Sequence, residues 1–114
     1  MESKSKSLEN VMTILFKNNE KQKTIAKEIL SFLRTSGTVA RRAIGKPVLR
    51  EKIKEISNKY SLSEQTVYKI IHKLEKYELI IYNKPNYELG TFVPVKEMIE
   101  EWNEFLRVGI KHND

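Results

Sequence analysis

The sequence predicts a single, mainly α-helical domain carrying one small β-hairpin. Three observations lead there. Five stretches read as helix, most of them from apolar residues recurring at three- and four-residue spacing. One region alone, about residues 79–93, is β-rich, and Lys84-Pro85-Asn86 breaks it in two as a hairpin turn would. The chain has 114 residues, with no internal repeat and no linker long enough to divide it, so one domain spans 1–114.

Residues 1–6 are polar and expected to fray. Leu8, Val11, Met12 and Leu15 form one stripe, which predicts a helix over about 7–17, interrupted by Asn18-Asn19. A second helix, about 20–36, turns Ile25, Ile29, Leu30 and Leu33 inward and has Gly37 at its C-terminal boundary. Residues 37–46 read as irregular. Pro47 suits the first turn of a third helix that reaches about Tyr60. Ser61-Leu62-Ser63 is a turn, and Ser63 is an N-cap for a fourth helix of about 63–77. Strands of about 79–83 and 88–93 follow. Pro94 then precedes a last helix of about 95–109.

Composition removes several classes of function. Hydrophobic residues make up 39% and charged residues 32%, a balance that supports a folded core and not a disordered chain. With no cysteine, disulfides, Cys-ligated zinc and thiol catalysis are excluded. His72 and His112 are the only histidines, Asp114 is the only aspartate, and no Gly-rich phosphate loop occurs. Glu100 and Glu101 diverge by about 100° on a helix and form no carboxylate dyad. No enzyme activity, metal, cofactor or small-molecule substrate is expected. No apolar run approaches the roughly 18–20 residues of a membrane span, and no signal peptide is legible, so a cytoplasmic protein is expected.

The net charge of +6 is unevenly placed. Residues 1–93 hold 18 Lys and Arg against 10 Glu, a net of +8, whereas residues 94–114 hold 3 against 5 acidic residues, a net of −2. A basic body with an acidic end points to a polyanionic partner for the body alone; a solvated Lys/Glu surface is the competing reading.

The segment 53–71, IKEISNKYSLSEQTVYKII, sets apolar Ile56, Tyr60, Leu62, Val67 and Ile70 beside small Ser57 and Ser61. Two short helices crossing steeply need small residues where they approach and apolar ones where they wedge together. Here the chain resembles the winged helix-turn-helix family over roughly 21–93. Ser57 stands at the small position of the motif's first helix, Ser61 where the turn often has glycine. LSEQTVYKIIHKLEKYELI is similar to the turn, recognition helix and entry to the wing. The sequence departs from the family at Glu78, where many members have glycine, and in the length of 37–46. The resemblance implies a winged helix with flanking helices at about 7–17 and 95–109.

On a helical wheel, Gln65, Lys69, His72 and Lys76 stand opposite the apolar side of the fourth helix, flanked by Thr66, Tyr68 and Lys73. None of these seven is acidic, whereas a solvated surface helix ordinarily mixes signs. Gln pairs with adenine N6/N7, Lys reaches guanine or phosphate, and Thr and Tyr meet a thymine methyl or a phosphate. With Ser63 at its start, this face is the candidate reader of a DNA major groove. Lys84, Asn86 and Tyr87 lie at or near the hairpin tip, where they meet the backbone or minor groove or simply form a turn. Arg41, Arg42 and Lys46 are positioned either to clamp phosphates or to remain solvated.

In the last helix Val95, Met98, Ile99, Trp102, Phe105 and Leu106 form a stripe opposite Glu97, Glu100, Glu101 and Glu104. The stripe either caps the chain's own core or pairs with a second copy together with residues 8–16; the resemblance favours a homodimer. The expected function is that of a sequence-specific double-stranded DNA-binding transcriptional regulator, similar to small winged-helix regulators of archaea, their viruses and plasmids. Nucleoid or host cytoplasm is the corresponding location. The rivals are a protein–protein module built on the same fold and a non-specific architectural or replication-associated binder.

Overall fold

The computed structural model describes residues 2–17, 19–36, 43–90 and 96–113. Their order is α1 (Glu2–Phe16), α2 (Glu20–Ser36), β1 (Ala43–Gly45), α3 (Lys46–Tyr60), α4 (Glu64–Lys76), β2 (Ile80–Asn83), β3 (Asn86–Leu89) and α5 (Lys96–Asn113). The three strands form one antiparallel sheet in the order β1-β3-β2. The chain is thus mainly helical with a small sheet.

The apolar stripes converge on a single core. Val11 and Met12 of α1, Ile25, Ile29, Leu30 and Leu33 of α2, Ile53 and Ile56 of α3, and Val67 and Leu74 of α4 are buried. So are Ile80 and Leu89 of the sheet and Trp102 and Phe105 of α5. Burying one such side chain contributes about 1.5–3 kcal/mol. Helix α2 is central, packing against α1, α4, α5 and the sheet. Polar contacts pin its neighbours. Glu28 accepts from the Tyr60 hydroxyl at 3.0 Å and pairs with Lys52 and Lys59, each at 3.3 Å, which fixes α3 on α2. Glu9 of α1 pairs with Lys27 at 2.6 Å and Lys23 at 3.3 Å.

Several expected boundaries move. Residues 43–45 are a strand and not irregular chain: Ala43, Ile44 and Gly45 pair with Glu88, Tyr87 and Asn86. Three residues are too few to show an alternating pattern; the strand exists because β3 has an edge to pair. The second hairpin strand starts at Asn86, directly after the turn, and ends at Leu89. The Gly90 amide donates to the Leu79 carbonyl at 2.9 Å, closing the hairpin at its base; expected strand residues 91–93 lie outside the described residues. Helix α1 begins at Glu2, because Lys, Ser and Glu extend a helix without any apolar signal. Helix α5 runs on through Gly109, which weakens a helix by only about 1 kcal/mol.

The stripe of α5 packs within the chain's own core. Trp102 and Phe105 are fully buried within the one chain and Met98 nearly so. The two rings stack 5.0 Å apart, and Trp102 Nε1 donates to the Gly90 carbonyl at 2.8 Å. Asn10 of α1 donates to Glu101 at 2.9 Å. Met98, Trp102 and Phe105 are thus enclosed by this chain's own core, as are Leu8, Val11, Met12, Leu15 and Phe16, whereas Ile14 of α1 is 50% exposed. Ile99 and Leu106 are half-buried, and Val95 lies outside the described residues. Arg34, also buried, holds its guanidinium 4.5 Å above Phe105. Burial pulls its pKa below the usual range, and its Nε and Nη1 meet no hydrogen-bond partner.

Candidate nucleic-acid interface

The α3–α4 junction is built from serines. Ser61 closes α3 in the left-handed conformation, with φ 57° and ψ 46°. The Leu62 amide then donates to the Ser57 carbonyl at 3.0 Å, and the Ser57 hydroxyl donates to the Leu62 carbonyl. A larger residue than Ser57 would fill the space this contact occupies. Ser63 caps α4, its hydroxyl accepting from the Thr66 amide at 3.2 Å and meeting the Thr66 hydroxyl at 2.9 Å. These two hydroxyls are thus engaged in starting the helix.

With Val67, Ile70, Ile71 and Leu74 buried, Gln65, Lys69, His72 and Lys76 are exposed, and Tyr68 is half-buried. Lys73, placed on the flank by the wheel, bends back so that its Nζ lies 5.0 Å from the Phe16 ring of α1. His72 Nδ1 meets Glu75 Oε1 at 3.1 Å, and its ring lies 6.5 Å from that of Tyr68. The outward row of α4 therefore consists of Gln65, Lys69, His72 and Lys76; Glu64 and Glu75 share one flank, and Glu75 is bound to His72.

The hairpin stands beside this row. Its turn is Lys84-Pro85, and Lys84 is exposed. Asn86 is half-buried within β3, opposite Asn83 and Gly45, and so belongs to the sheet more than to the tip. The Lys46 amide donates to the Pro85 carbonyl at 3.3 Å, which brings the start of α3 against the hairpin turn. Lys46 Nζ then lies 6.0 Å from the Tyr82 ring, and Tyr82 packs on its cross-strand partner Tyr87 with ring centroids 4.7 Å apart. Burial, followed by the nearby Glu75, Tyr82 and Tyr68, holds the Tyr87 hydroxyl above the ordinary phenol range. Arg41 and Arg42 lie outside the described residues.

Tyr82 was not among the sequence candidates. The signal for it was present: a two-residue turn at Lys84-Pro85 sets Tyr82 opposite Tyr87, on the sheet face of the apolar pair Ile80 and Leu89. Lys46 ends a stretch that reads as irregular in the sequence, and its place beside the hairpin follows only from β1. Among the described residues no three His, Cys, Asp or Glu side chains come together, and no helix is long and apolar enough to cross a membrane. Comparison with known proteins finds no matching family model, no matching curated protein and no matching solved structure.

Proposed function

We propose that this chain is a winged-helix protein that binds double-stranded DNA by sequence, and acts as a transcriptional regulator. In this reading α4 enters the major groove and the β2–β3 hairpin lies on the backbone or in the minor groove. The observation that carries it is the outward row Gln65, Lys69, His72 and Lys76, cationic and amide-bearing with no acidic member, on a helix capped and held by a serine-built turn. Gln65 and Lys69 are the base readers, since both are exposed in the middle of that outward face. Lys46 and Lys84, at the hairpin, are placed for phosphates, as are Arg41 and Arg42 by sequence. The acidic outer face of α5 points this helix away from a duplex.

Selection of bound sequences from a random duplex pool tests the reading directly. A shared motif, bound with affinity that falls by orders of magnitude between roughly 50 and 200 mM salt, supports it. Retention without an enriched motif would make the chain a non-specific binder. Absence of binding even at low salt would overturn DNA recognition and leave a protein–protein role.

A further inference from the structure

The seam between α4 and the hairpin carries an exposed aromatic surface. Tyr82 and Tyr87 share a sheet face with Ile80 and Leu89, but the latter pair is buried whereas Tyr82 is 40% exposed. Its ring lies on Tyr87 at 4.7 Å and has the Lys46 ammonium 6.0 Å away. Tyr82 also borders an open groove along β2, lined by Ile80, Ile81, Glu75 and Glu78; Ile81 is 42% exposed.

A paired duplex offers this surface nothing to match, because its base faces are stacked inside and its outside is phosphate. Apolar walls do not hold phosphate, and Glu75 and Glu78 repel it. An unpaired base fits each feature. Its face stacks on the exposed tyrosine, as bases do on aromatic platforms in single-strand binders. Its exocyclic amine donates to a carboxylate, the pairing by which Glu reads cytosine N4. Lys46, 6.0 Å from the ring, is placed for the phosphate that follows the base. We infer that the Tyr82 groove takes an unpaired nucleobase, so that the preferred ligand is duplex DNA with a single-stranded extension. This inference rests on the DNA-binding reading above and adds the substrate class to it.

The test compares a labelled blunt duplex with the same duplex carrying a single-stranded cytidine tail, by fluorescence anisotropy at one fixed low salt concentration. The tailed duplex is expected to bind roughly ten-fold tighter or more, the scale of one stacked base. Tyr82→Leu is expected to abolish that advantage, read as the ratio of its affinities for the tailed and the blunt duplex. Tyr82→Phe, which preserves the stacking face, is expected to retain it. Equal affinity for the two probes, or an advantage that survives in Tyr82→Leu, overturns the inference while blunt-duplex binding keeps the DNA reading intact. Binding of neither probe overturns both.

Discussion

Helices α4 and α5 are built alike and end up presenting opposite surfaces. Each buries an apolar stripe in the same core: Val67, Ile70, Ile71 and Leu74 from one, Met98, Trp102 and Phe105 from the other. Outside, α4 shows Gln65, Lys69, His72 and Lys76, whereas α5 shows Glu100 with half-buried Glu101 and Glu104. The apolar stripe decides where a helix lies, because that is where the free energy of burial is gained. It leaves the outer face free, and the sign of charge there distinguishes a surface fitted to a polyanion from one repelled by it. The weight of an aromatic stripe is therefore a poor guide to a partner. That of α5, with its tryptophan, is consumed at home.

The sharpest break of the comparison is Trp102→Ala. The indole is fully buried and its Nε1 satisfies the Gly90 carbonyl, so truncation should cost about 3–5 kcal/mol and leave that carbonyl unpaired. Urea unfolding is expected to show a large loss of stability or no folded protein at all. Lys69→Ala, on the exposed face of α4, should leave the unfolding midpoint within about 0.5 kcal/mol and weaken DNA binding. A Trp102→Ala protein that stays as stable as the parent, but sediments as a smaller species, would return α5 to an intermolecular role.

Gly90→Ala tests the link between the two regions. An added Cβ would lie 2.3 Å from the Glu78 carbonyl oxygen and 2.8 Å from the Ile81 side chain. The first neighbour is backbone and has no rotamer to yield, so the hairpin base must shift. The expected loss is about 1–3 kcal/mol, seen as a lowered melting temperature. A neutral substitution would mean that the hairpin is not held at its base as described.

Glu28 provides a pH test at a smaller scale. Burial works against its charge, but hydrogen bonds from Tyr60, Lys52 and Lys59 outweigh it and hold the carboxyl below its ordinary value of 4.5. A depressed folded-state pKa gives stability that is present above the unfolded value and lost as pH falls through the folded one. Glu28→Gln should therefore cost about 1–2 kcal/mol near neutrality, and the gap between the two proteins should narrow in acid. A gap that is constant with pH would show that the carboxylate charge is not what fastens α3 to α2.

What was legible in the sequence followed from period and from local chemistry. The stripe of α4 and its Ser63 cap are both short-range, and both lie where expected. The strand β1 was not legible, since Ala43–Gly45 is set by the free edge of β3 about forty residues away. The same distance hid Lys46, whose neighbours Tyr82 and Pro85 are far along the chain. The fate of α5 was open because a stripe reads the same whether its partner is within the chain or outside it. Lys73 shows the limit of a wheel: its position on α4 was right, but a long side chain turned it to Phe16.

The smallest effect concerns the two residues that bracket α4. Ser61, before it, has φ 57°, and Glu78, after it, has φ 63°. Both lie in the left-handed region that favours glycine. A side chain in that conformation costs roughly 1–2 kcal/mol, whereas glycine loses about 0.5–1 kcal/mol more backbone freedom on folding. Both residues are exposed, so replacing them removes little packing. Ser61→Gly and Glu78→Gly should each stabilise the protein by about 0.5 kcal/mol, a rise of roughly 2–4 °C in melting temperature. The counterpart control lies in α5, where Asn103→Gly, at an exposed interior position, should lower stability by up to about 1 kcal/mol. If Ser61→Gly or Glu78→Gly melts lower than the parent, the positive-φ turns around α4 are not the strained points that the backbone angles indicate.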